Sequence, residues 1–173
     1  PMVGAVVVWQ GQIIGEGYHR KCGGPHAEVN AIRSVRQQEL LQESTLYVSL
    51  EPCAHYGKTP PCADLIVSCR IPKVVVGCMD PFAKVNGLGV KKMRDAGIHV
   101  EVGVLEQECL RLNERFITFH SKHRPWITLK WAQSADGFIA RKDGSAVAFS
   151  TALTQMLVHR LRTRHQAIMV GTH

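Results

Sequence analysis

The sequence predicts an α/β fold, with a mixed sheet covered by helices on both faces and followed by a second, incomplete α/β unit. Three observations favour this class. Short β-branched runs alternate with amphipathic segments along the 173 residues, which is typical of strands separated by helices. The run Lys73 to Cys78 is almost continuously apolar, as expected of a strand buried on both faces. Hydrophobic residues make up 45% of the chain, so a sizeable core is possible.

The first unit is predicted to begin with a β-hairpin, in which Val3 to Trp9 and Gln12 to Gly15 flank a turn at Gln10-Gly11. A helix over His26 to Gln38 follows, because apolar residues recur on one face and Pro25 precedes its first turn. The later elements are expected as strand, helix, strand, helix, strand and helix at Thr45 to Leu50, Pro61 to Cys69, Lys73 to Cys78, Val90 to Ala96, Ile98 to Val102 and Leu105 to His120.

A linker is expected at residues 121–125, between a first domain of residues 1–120 and a second of residues 126–173. In the second domain, a helix over Thr151 to Arg162 is expected between strands at Trp126 to Trp131 and Ala167 to Val170. This pattern stops in the middle of a βαβ unit, and the first domain opens directly on an apolar run. We therefore expect a chain shortened at both ends.

The charge distribution argues against a nucleic-acid partner. Residues 111–173 carry 10 Lys+Arg and 3 Asp+Glu and so account for the whole net charge of +7, whereas residues 1–110 carry 11 of each. A nucleic-acid site usually shows a basic footprint around the site itself. The excess is interpreted as a solvated face, as part of an incomplete domain, or as a phosphate-binding surface.

Other features predict a cytoplasmic protein with no membrane association. No apolar run reaches the roughly 18 residues that a membrane span needs, and the N-terminus shows no signal peptide. Six cysteines lack the spacing of a disulfide framework, so a reducing compartment is expected. The sequence leaves the oligomeric state open.

Two short motifs predict a catalytic zinc site. His26-Ala27-Glu28 lies at a predicted helix start, Cys53 follows a predicted strand, and Cys62 opens another helix. One imidazole and two thiolates form a three-ligand zinc set whose fourth position is free for water. Glu28 is placed to act as the base. Zinc deaminases of nucleobases carry H-x-E and then P-C-x-x-C, with the glutamate as acid/base; here eight residues separate the two cysteines. Structural zinc and coincidence remain the alternatives.

The eight-residue insertion between the cysteines forms a polar loop that must leave the metal and return. His55 is weighed as a further ligand against a solvated loop histidine. Lys58 is weighed as a contact for a substrate phosphate against an ordinary surface lysine. His19, at the end of the hairpin, either lines the pocket or belongs to a surface loop.

These residues resemble the deaminase half of the bifunctional riboflavin-biosynthesis deaminase/reductases. The resemblance rests on Pro1 to Val8, Gly15 to His19, His26-Ala27-Glu28 and the stretch from Glu51 to Cys62, which includes Gly-Lys-Thr-Pro-Pro-Cys. It implies a three-layer cytidine-deaminase-like domain. It also implies zinc on His26, Cys53 and Cys62, proton transfer by Glu28, and His19 and Lys58 on the substrate's side of the pocket. The implied substrate is the small phosphoribosylated pyrimidine 2,5-diamino-6-(5-phosphoribosylamino)pyrimidin-4-one.

Residues from about 124 onward resemble the start of the companion reductase domain, which has a dihydrofolate-reductase-like fold. The stretch Ile127 to Gly137 matches its first strand and turn, and His159 to Arg162 matches the following helix. The resemblance implies substrate contacts at Lys130 and Arg162 and an NADPH contact at Ala132. A tRNA or nucleoside deaminase of the same fold and a non-catalytic zinc module remain the competing functions.

Overall fold

The computed structural model of the protein describes residues 1–57, 59–82, 85–145 and 147–171. The chain divides into two compact units, Pro1–Trp126 and Ile127–His173. The described helices include none that is both long enough and apolar enough to cross a membrane.

A five-stranded mixed sheet forms the centre of the first unit. Its strands are β1 (Gly4–Trp9), β2 (Gln12–Tyr18), β3 (Thr45–Leu50), β4 (Lys73–Cys78) and β5 (His99–Val102). They lie in the order β2-β1-β3-β4-β5. β1 runs antiparallel to both of its neighbours, whereas β3, β4 and β5 are parallel to one another. The mixed sheet predicted from the sequence is therefore confirmed.

Helices cover this sheet on both faces. Those of the first unit are α1 (Ala27–Ser34), α2 (Cys62–Ser68), α3 (Leu88–Asp95), α4 (Glu106–Leu112) and α5 (Glu114–Lys122). One face of the sheet and the helices α1 to α3 share the main hydrophobic core, which includes Val7, Ala31, Leu46, Ile66, Val76 and Met93. On the other face, Cys109 of α4 packs against Gly77 of β4. A Cβ built on Gly77 would lie 2.3 Å from the Cys109 Sγ.

The hairpin forms where it was predicted, but its second strand is longer. Gln10 and Gly11 both have positive φ, 47° and 77°, as a two-residue hairpin turn with the twist of the flanking strands requires. β2 then continues to Tyr18 instead of ending at Gly15. Glycines interrupt the β-branched pattern here because a Cβ at Gly17 would lie 2.3 Å from the backbone nitrogen of Ala31 in α1. The close approach of the helix therefore requires glycines, and these make the second half of the strand difficult to predict from the sequence.

α1 ends at Ser34, four residues before the predicted end. Val35 has extended backbone angles. The side-chain amide of Gln38 donates hydrogen bonds to the carbonyl oxygens of Ile32 (2.9 Å) and Val35 (2.6 Å), which satisfies acceptors that the helix leaves open. The chain continues as a 3₁₀ helix at Gln38–Glu43.

The long helix predicted at Leu105 to His120 is wrong, because the chain breaks there into α4 and α5 at Asn113. The side-chain oxygen of Asn113 accepts a hydrogen bond from the backbone nitrogen of Met2 at 2.7 Å, and its amide donates to the Met2 carbonyl at 2.8 Å. Asn113 is buried, and both bonds are partly buried. This interaction ties the N-terminal segment to the helical layer.

The second unit contains the helix α6 (Ala152–Arg162), which Thr151 caps by accepting a hydrogen bond from the backbone nitrogen of Thr154. The strands predicted at Trp126 to Trp131 and Ala167 to Val170 are wrong: no strand occurs in the described part of residues 127–171. A strand is stable only when a neighbour pairs with it. The apolar side chains of these two segments, including Leu129 and Met169, are accordingly exposed.

Candidate active site

Three chain segments bring His26, Glu28, Cys53 and Cys62 together. His26 immediately precedes α1, Glu28 lies in its first turn, and Cys62 is the first residue of α2. Cys53 follows the end of β3 by three residues. The backbone nitrogen of Cys62 donates to the Cys53 sulfur at 3.3 Å, so the start of α2 lies directly against the loop after β3.

The imidazole of His26 faces both cysteine sulfurs through one ring nitrogen. Its Nδ1 lies 3.6 Å from Cys53 Sγ and 3.3 Å from Cys62 Sγ. The other nitrogen, Nε2, lies 3.4 Å from the hydroxyl oxygen of Thr59. When Nδ1 binds a metal, Nε2 carries the ring proton and can donate a hydrogen bond to the Thr59 hydroxyl. Such an outer partner fixes the tautomer and the ring orientation of a metal-binding histidine.

The donor set fits zinc. One atom each from His26, Cys53 and Cys62 lies within 4.8 Å of the other two, and no fourth His, Cys, Asp or Glu in the described part of the chain belongs to this group. Imidazole and thiolate are the ligands that zinc prefers, and three protein ligands with an open position are typical of catalytic sites. The arrangement therefore fits a catalytic zinc ion better than a structural one.

The metal-free cluster shares protons between these three side chains. Hydrogen bonding from Cys62, reinforced by His26, lowers the pKa of the Cys53 thiol to about 4 although burial opposes this change. Cys62 donates that hydrogen bond and is buried, and both effects raise its pKa. The hydrogen bond to Cys53 raises the pKa of His26. Metal binding requires deprotonated ligands, so loading zinc releases these protons.

Glu28 is a buried carboxyl group beside the cluster. Its residue is 3% exposed, and burial raises its pKa to about 7, with a further contribution from the negative charge of Cys53. A carboxyl group with a pKa near neutrality can both accept and donate a proton, as a general acid/base must. A cation on the neighbouring ligands would favour its charged form.

A cavity of about 210 Å³ opens beside the cluster and is lined by Glu28, His26 and Cys53. His19 also lines it: its ring lies edge-on to that of His26, with 5.4 Å between centroids, and its Nδ1 lies 3.2 Å from the Pro25 carbonyl oxygen. The structure thus brings His19 to the same space as the proposed zinc ligands. His55 lines this cavity too and does not join the ligand group.

The far wall of the cavity includes residues that sequence reasoning did not single out as site residues: Glu51, Asp80, Phe82, Val85 and Phe116. Burial raises the pKa of Asp80, and the nearby charge of Glu51 acts in the same direction. Glu51 and Asp80 could have been noticed as acidic residues one and two positions after predicted strands. Phe116 could not, because its position depends on the break between α4 and α5.

Four further contacts were expected from the sequence, at Lys58, Lys130, Ala132 and Arg162. Lys58 lies outside the described residues. In the second unit, Lys130 and Arg162 are exposed and Ala132 is half-buried. Arg162 is the last residue of α6, while Lys130 and Ala132 lie in a segment without regular structure.

A wider groove of about 730 Å³ also lies in the first unit, lined by apolar residues such as Val6, Tyr47 and Val75. None of the four motif residues lines this groove. Its size reflects open sheet surface, whereas the smaller cavity combines apolar walls with converging polar groups, as ligand sites usually do. The chemistry therefore belongs to the smaller cavity.

Family models match both parts of the chain. Residues 1–78 match the zinc-binding region of cytidine and deoxycytidylate deaminases. Residues 125–173 match the RibD C-terminal domain. The proposed ligands and Glu28 all lie within the first match.

Known proteins resemble the chain over nearly its whole length. The riboflavin biosynthesis protein RibD of Aquifex aeolicus is 47% identical over 173 residues, which are 100% of this chain and 48% of that protein. The deaminase/reductase structure from Thermotoga maritima has a TM-score of 0.82 and 49% identity, covering 92% of this chain and 46% of its own. The structure of RibD from Acinetobacter baumannii has a TM-score of 0.84 and 44% sequence identity, and the match covers 92% of this chain and 44% of that one. The chain spans about half the length of the relatives it matches.

Proposed function

Because the chain belongs to the RibD-type riboflavin-biosynthesis deaminase/reductases, we propose that its first unit deaminates 2,5-diamino-6-(5-phosphoribosylamino)pyrimidin-4-one by hydrolysis. One observation carries this proposal: His26, Cys53 and Cys62 converge within 4.8 Å beside the buried Glu28, at the wall of a cavity. A zinc ion held by these three residues would serve a hydrolytic reaction in that cavity.

In the proposed reaction, a bound zinc ion supplies Lewis acidity, which lowers the pKa of water toward neutrality. Glu28 accepts one proton from the attacking water and delivers it to the ring nitrogen. It then accepts the second proton of the same oxygen and delivers it to the amino group, which leaves as ammonia. Its burial leaves the carboxyl group ready to hold each proton between the two transfers. Thr59 holds the His26 ring in the orientation that presents Nδ1 to the metal.

Substrate contacts are proposed for His19 and Lys58. His19 lies at the wall of the cavity, in edge-on contact with His26, where it can meet the pyrimidine ring. Lys58 is proposed as the contact for the ribose phosphate from the family resemblance alone. Lys58→Ala should therefore raise KM for the phosphorylated substrate more than it lowers kcat, and should matter much less for the dephosphorylated compound. Equal losses on both compounds would contradict a phosphate contact.

The proposed function is tested by a turnover assay on the phosphoribosyl diaminopyrimidine beside cytidine and guanine. Release of ammonia from the first compound alone is the expected result. Turnover of cytidine or guanine in its place would assign the site to another branch of the zinc deaminases. No turnover of any of them by zinc-loaded protein would contradict the proposed reaction.

The second unit is proposed to belong to the half of the whole protein that reduces the ribosyl side chain with NADPH. The match to the RibD C-terminal domain over residues 125–173 supports this assignment. Lys130 and Arg162 are proposed as substrate contacts and Ala132 as an NADPH contact. In the whole protein, Lys130→Ala should impair reduction and leave deamination unchanged, and a loss of both activities would contradict the division of roles.

We further propose a cytoplasmic enzyme that acts on a small molecule, without nucleic acid or membrane as a partner. Solved structures similar to this chain include RibD proteins. The Arabidopsis thaliana relative is described as chloroplastic. Association of identical chains is proposed, with light scattering of the purified protein as its test. A monomeric mass would contradict it.

A further inference from the structure

Glu51 carries a buried carboxylate in the same region, and the proposed reaction leaves it without a role. It is 4% exposed and directly follows β3, two residues before Cys53. Its Oε2 accepts hydrogen bonds from the backbone nitrogens of Asp80 (3.3 Å) and Gly87 (3.0 Å). Its Oε1 accepts from those of Gly89 (3.0 Å) and Val90 (3.2 Å). Four donors offset the cost of burying this charge.

The same carboxylate caps the start of α3 from a distant part of the chain. The helix begins after Gly87, which adopts the left-handed conformation with φ 80° and has no side chain to accept a hydrogen bond. Glu51 supplies that acceptor and places a negative charge where the helix dipole favours it. The N-terminus of α3 is therefore completed by the residue that leads into the Cys53 loop.

A backbone contact joins the same two segments. A Cβ on Gly89 would lie 1.9 Å from the carbonyl oxygen of Pro52, so only glycine allows the helix start to lie on Pro52. Pro52 is the residue between Glu51 and Cys53. The loop that carries Cys53 is thus held to the start of α3 by three hydrogen bonds and a close backbone contact, and to the segment after β4 by the fourth hydrogen bond.

The segment tied to Glu51 also forms part of the cavity wall. Asp80, whose backbone nitrogen donates one of the four hydrogen bonds, lines the cavity. Val85, two residues before Gly87, also lines it. Both oxygens of Glu51 are occupied by backbone donors, so Glu51 acts through these segments instead of on the substrate. The geometry points to Glu51 as the positioning residue that fixes the Cys53 loop against the cavity wall and thereby slows the loss of zinc. This inference rests on the proposed zinc site.

The test compares zinc release from wild-type protein and Glu51→Gln. Glutamine keeps the size of the side chain, but its terminal NH2 group donates hydrogen bonds and cannot accept them. It would therefore face two of the four backbone N–H groups that the carboxylate accepts from. Zinc should transfer to a chelating dye about tenfold faster or more from the variant, the usual scale for losing an outer-sphere partner. The absorption spectrum of the cobalt-substituted variant should also change, because the Cys53 thiolate would move relative to the metal.

Met93→Ala is the matched control. Met93 is fully buried in the same helix, so its truncation destabilises α3 without touching the carboxylate or its donors. This variant should release zinc at the wild-type rate and keep the wild-type cobalt spectrum. Equal acceleration by both variants would show that Glu51 serves general stability, and wild-type behaviour of Glu51→Gln would equally overturn the inference.

Gly89→Ala tests the contact from the other side if Glu51→Gln does not fold. The added Cβ would lie 1.9 Å from the Pro52 carbonyl oxygen and 3.3 Å from Glu51 Oε1, so it disturbs the same junction without removing the carboxylate, and zinc release should again accelerate. An unchanged rate in Gly89→Ala overturns the inference. A wild-type protein that binds no zinc overturns the proposed function together with this inference, whereas zinc-loaded wild type with unaffected variants overturns the inference alone.

Discussion

In the proposed reaction, different side chains bind the metal and transfer the protons. His26, Cys53 and Cys62 present their donor atoms to one another, while Glu28 is buried beside them and belongs to no ligand group in the described chain. The division predicts that removing the acid/base group and removing a ligand have different consequences. The two can be measured separately because zinc content and turnover are independent readouts.

Glu28→Gln should retain the fold and one zinc per chain but lose deamination by about 10²-fold or more, the scale of a lost general acid/base. Glutamine keeps the volume of the buried side chain and cannot carry the proton. Metal analysis and initial rates on the same preparation check this expectation. Cys62→Ser is the companion variant and should lose zinc together with activity. Normal turnover by Glu28→Gln would place the proton transfer elsewhere.

Thr59 should influence zinc through the His26 ring. Thr59→Val removes the acceptor of the Nε2 proton at nearly constant volume, so zinc affinity should fall by about tenfold or more. Thr59→Ser keeps the hydroxyl and should retain the wild-type affinity. Competition with a chelator measures both variants, and equal affinities for the valine and serine proteins would argue against the hydrogen bond.

The site residues that could be predicted are those marked by short sequence motifs. His26 and Glu28 are two residues apart at a helix start, and the two cysteines follow a strand and open a helix, so residue type and spacing suffice. The partners of Glu51 lie 29 to 39 residues away and are backbone amides, which carry no residue-type pattern. The role of Glu51 therefore needed the fold.

At the level of secondary structure, close contact between α1 and β2 holds His26 in place. β2 contributes Gly15 and Gly17 to the surface under α1, and a Cβ on either would meet backbone atoms of the helix. This contact explains why the second hairpin strand was underestimated: glycines in a strand weaken the β-branched pattern that predicts it. β3 contains no glycine, and β4 keeps a nearly continuous apolar run beside its single glycine, so both strands were predicted with the observed ends.

Gly17→Ala should destabilise the protein by about 1–3 kcal/mol, because overpacking forces the backbone of α1 away from the sheet. Gly4→Ala is the matched control: it lies in the neighbouring strand, and a Cβ there would meet nothing within 4 Å. Urea denaturation of both variants tests the expectation. A Gly17→Ala protein as stable as Gly4→Ala would mean that α1 does not approach the sheet this closely.

The break between α4 and α5 at Asn113 could not be predicted from helical periodicity. Apolar spacing between Leu105 and His120 is compatible with one continuous helix, but the side chain of Asn113 bonds both backbone groups of Met2, over a hundred residues away. A long-range hydrogen bond of this kind has no local signature. The placement of Phe116 at the cavity follows from it and could not be predicted either.

Across the whole molecule, zinc is expected to stabilise one unit and not the other. The proposed metal-binding residues lie immediately before α1, in the loop after β3 and at the start of α2, all within Pro1–Trp126. A metal ion that binds only the folded state stabilises it by mass action. Removing zinc with a chelator should accelerate amide hydrogen exchange around residues 26–34 and 53–68. Peptides from residues 127–171 should exchange at unchanged rates. Uniform acceleration along the chain would contradict a zinc effect confined to the first unit.

X-ray absorption at the zinc edge tests the central claim most directly, because it counts the ligands of the bound ion. Two sulfur neighbours at about 2.3 Å, one imidazole nitrogen at about 2.0–2.1 Å and one further light atom without imidazole scattering are expected. That result would match Cys53, Cys62, His26 and an open position. A second imidazole, a third sulfur, or protein that takes up no zinc would contradict a catalytic three-ligand site.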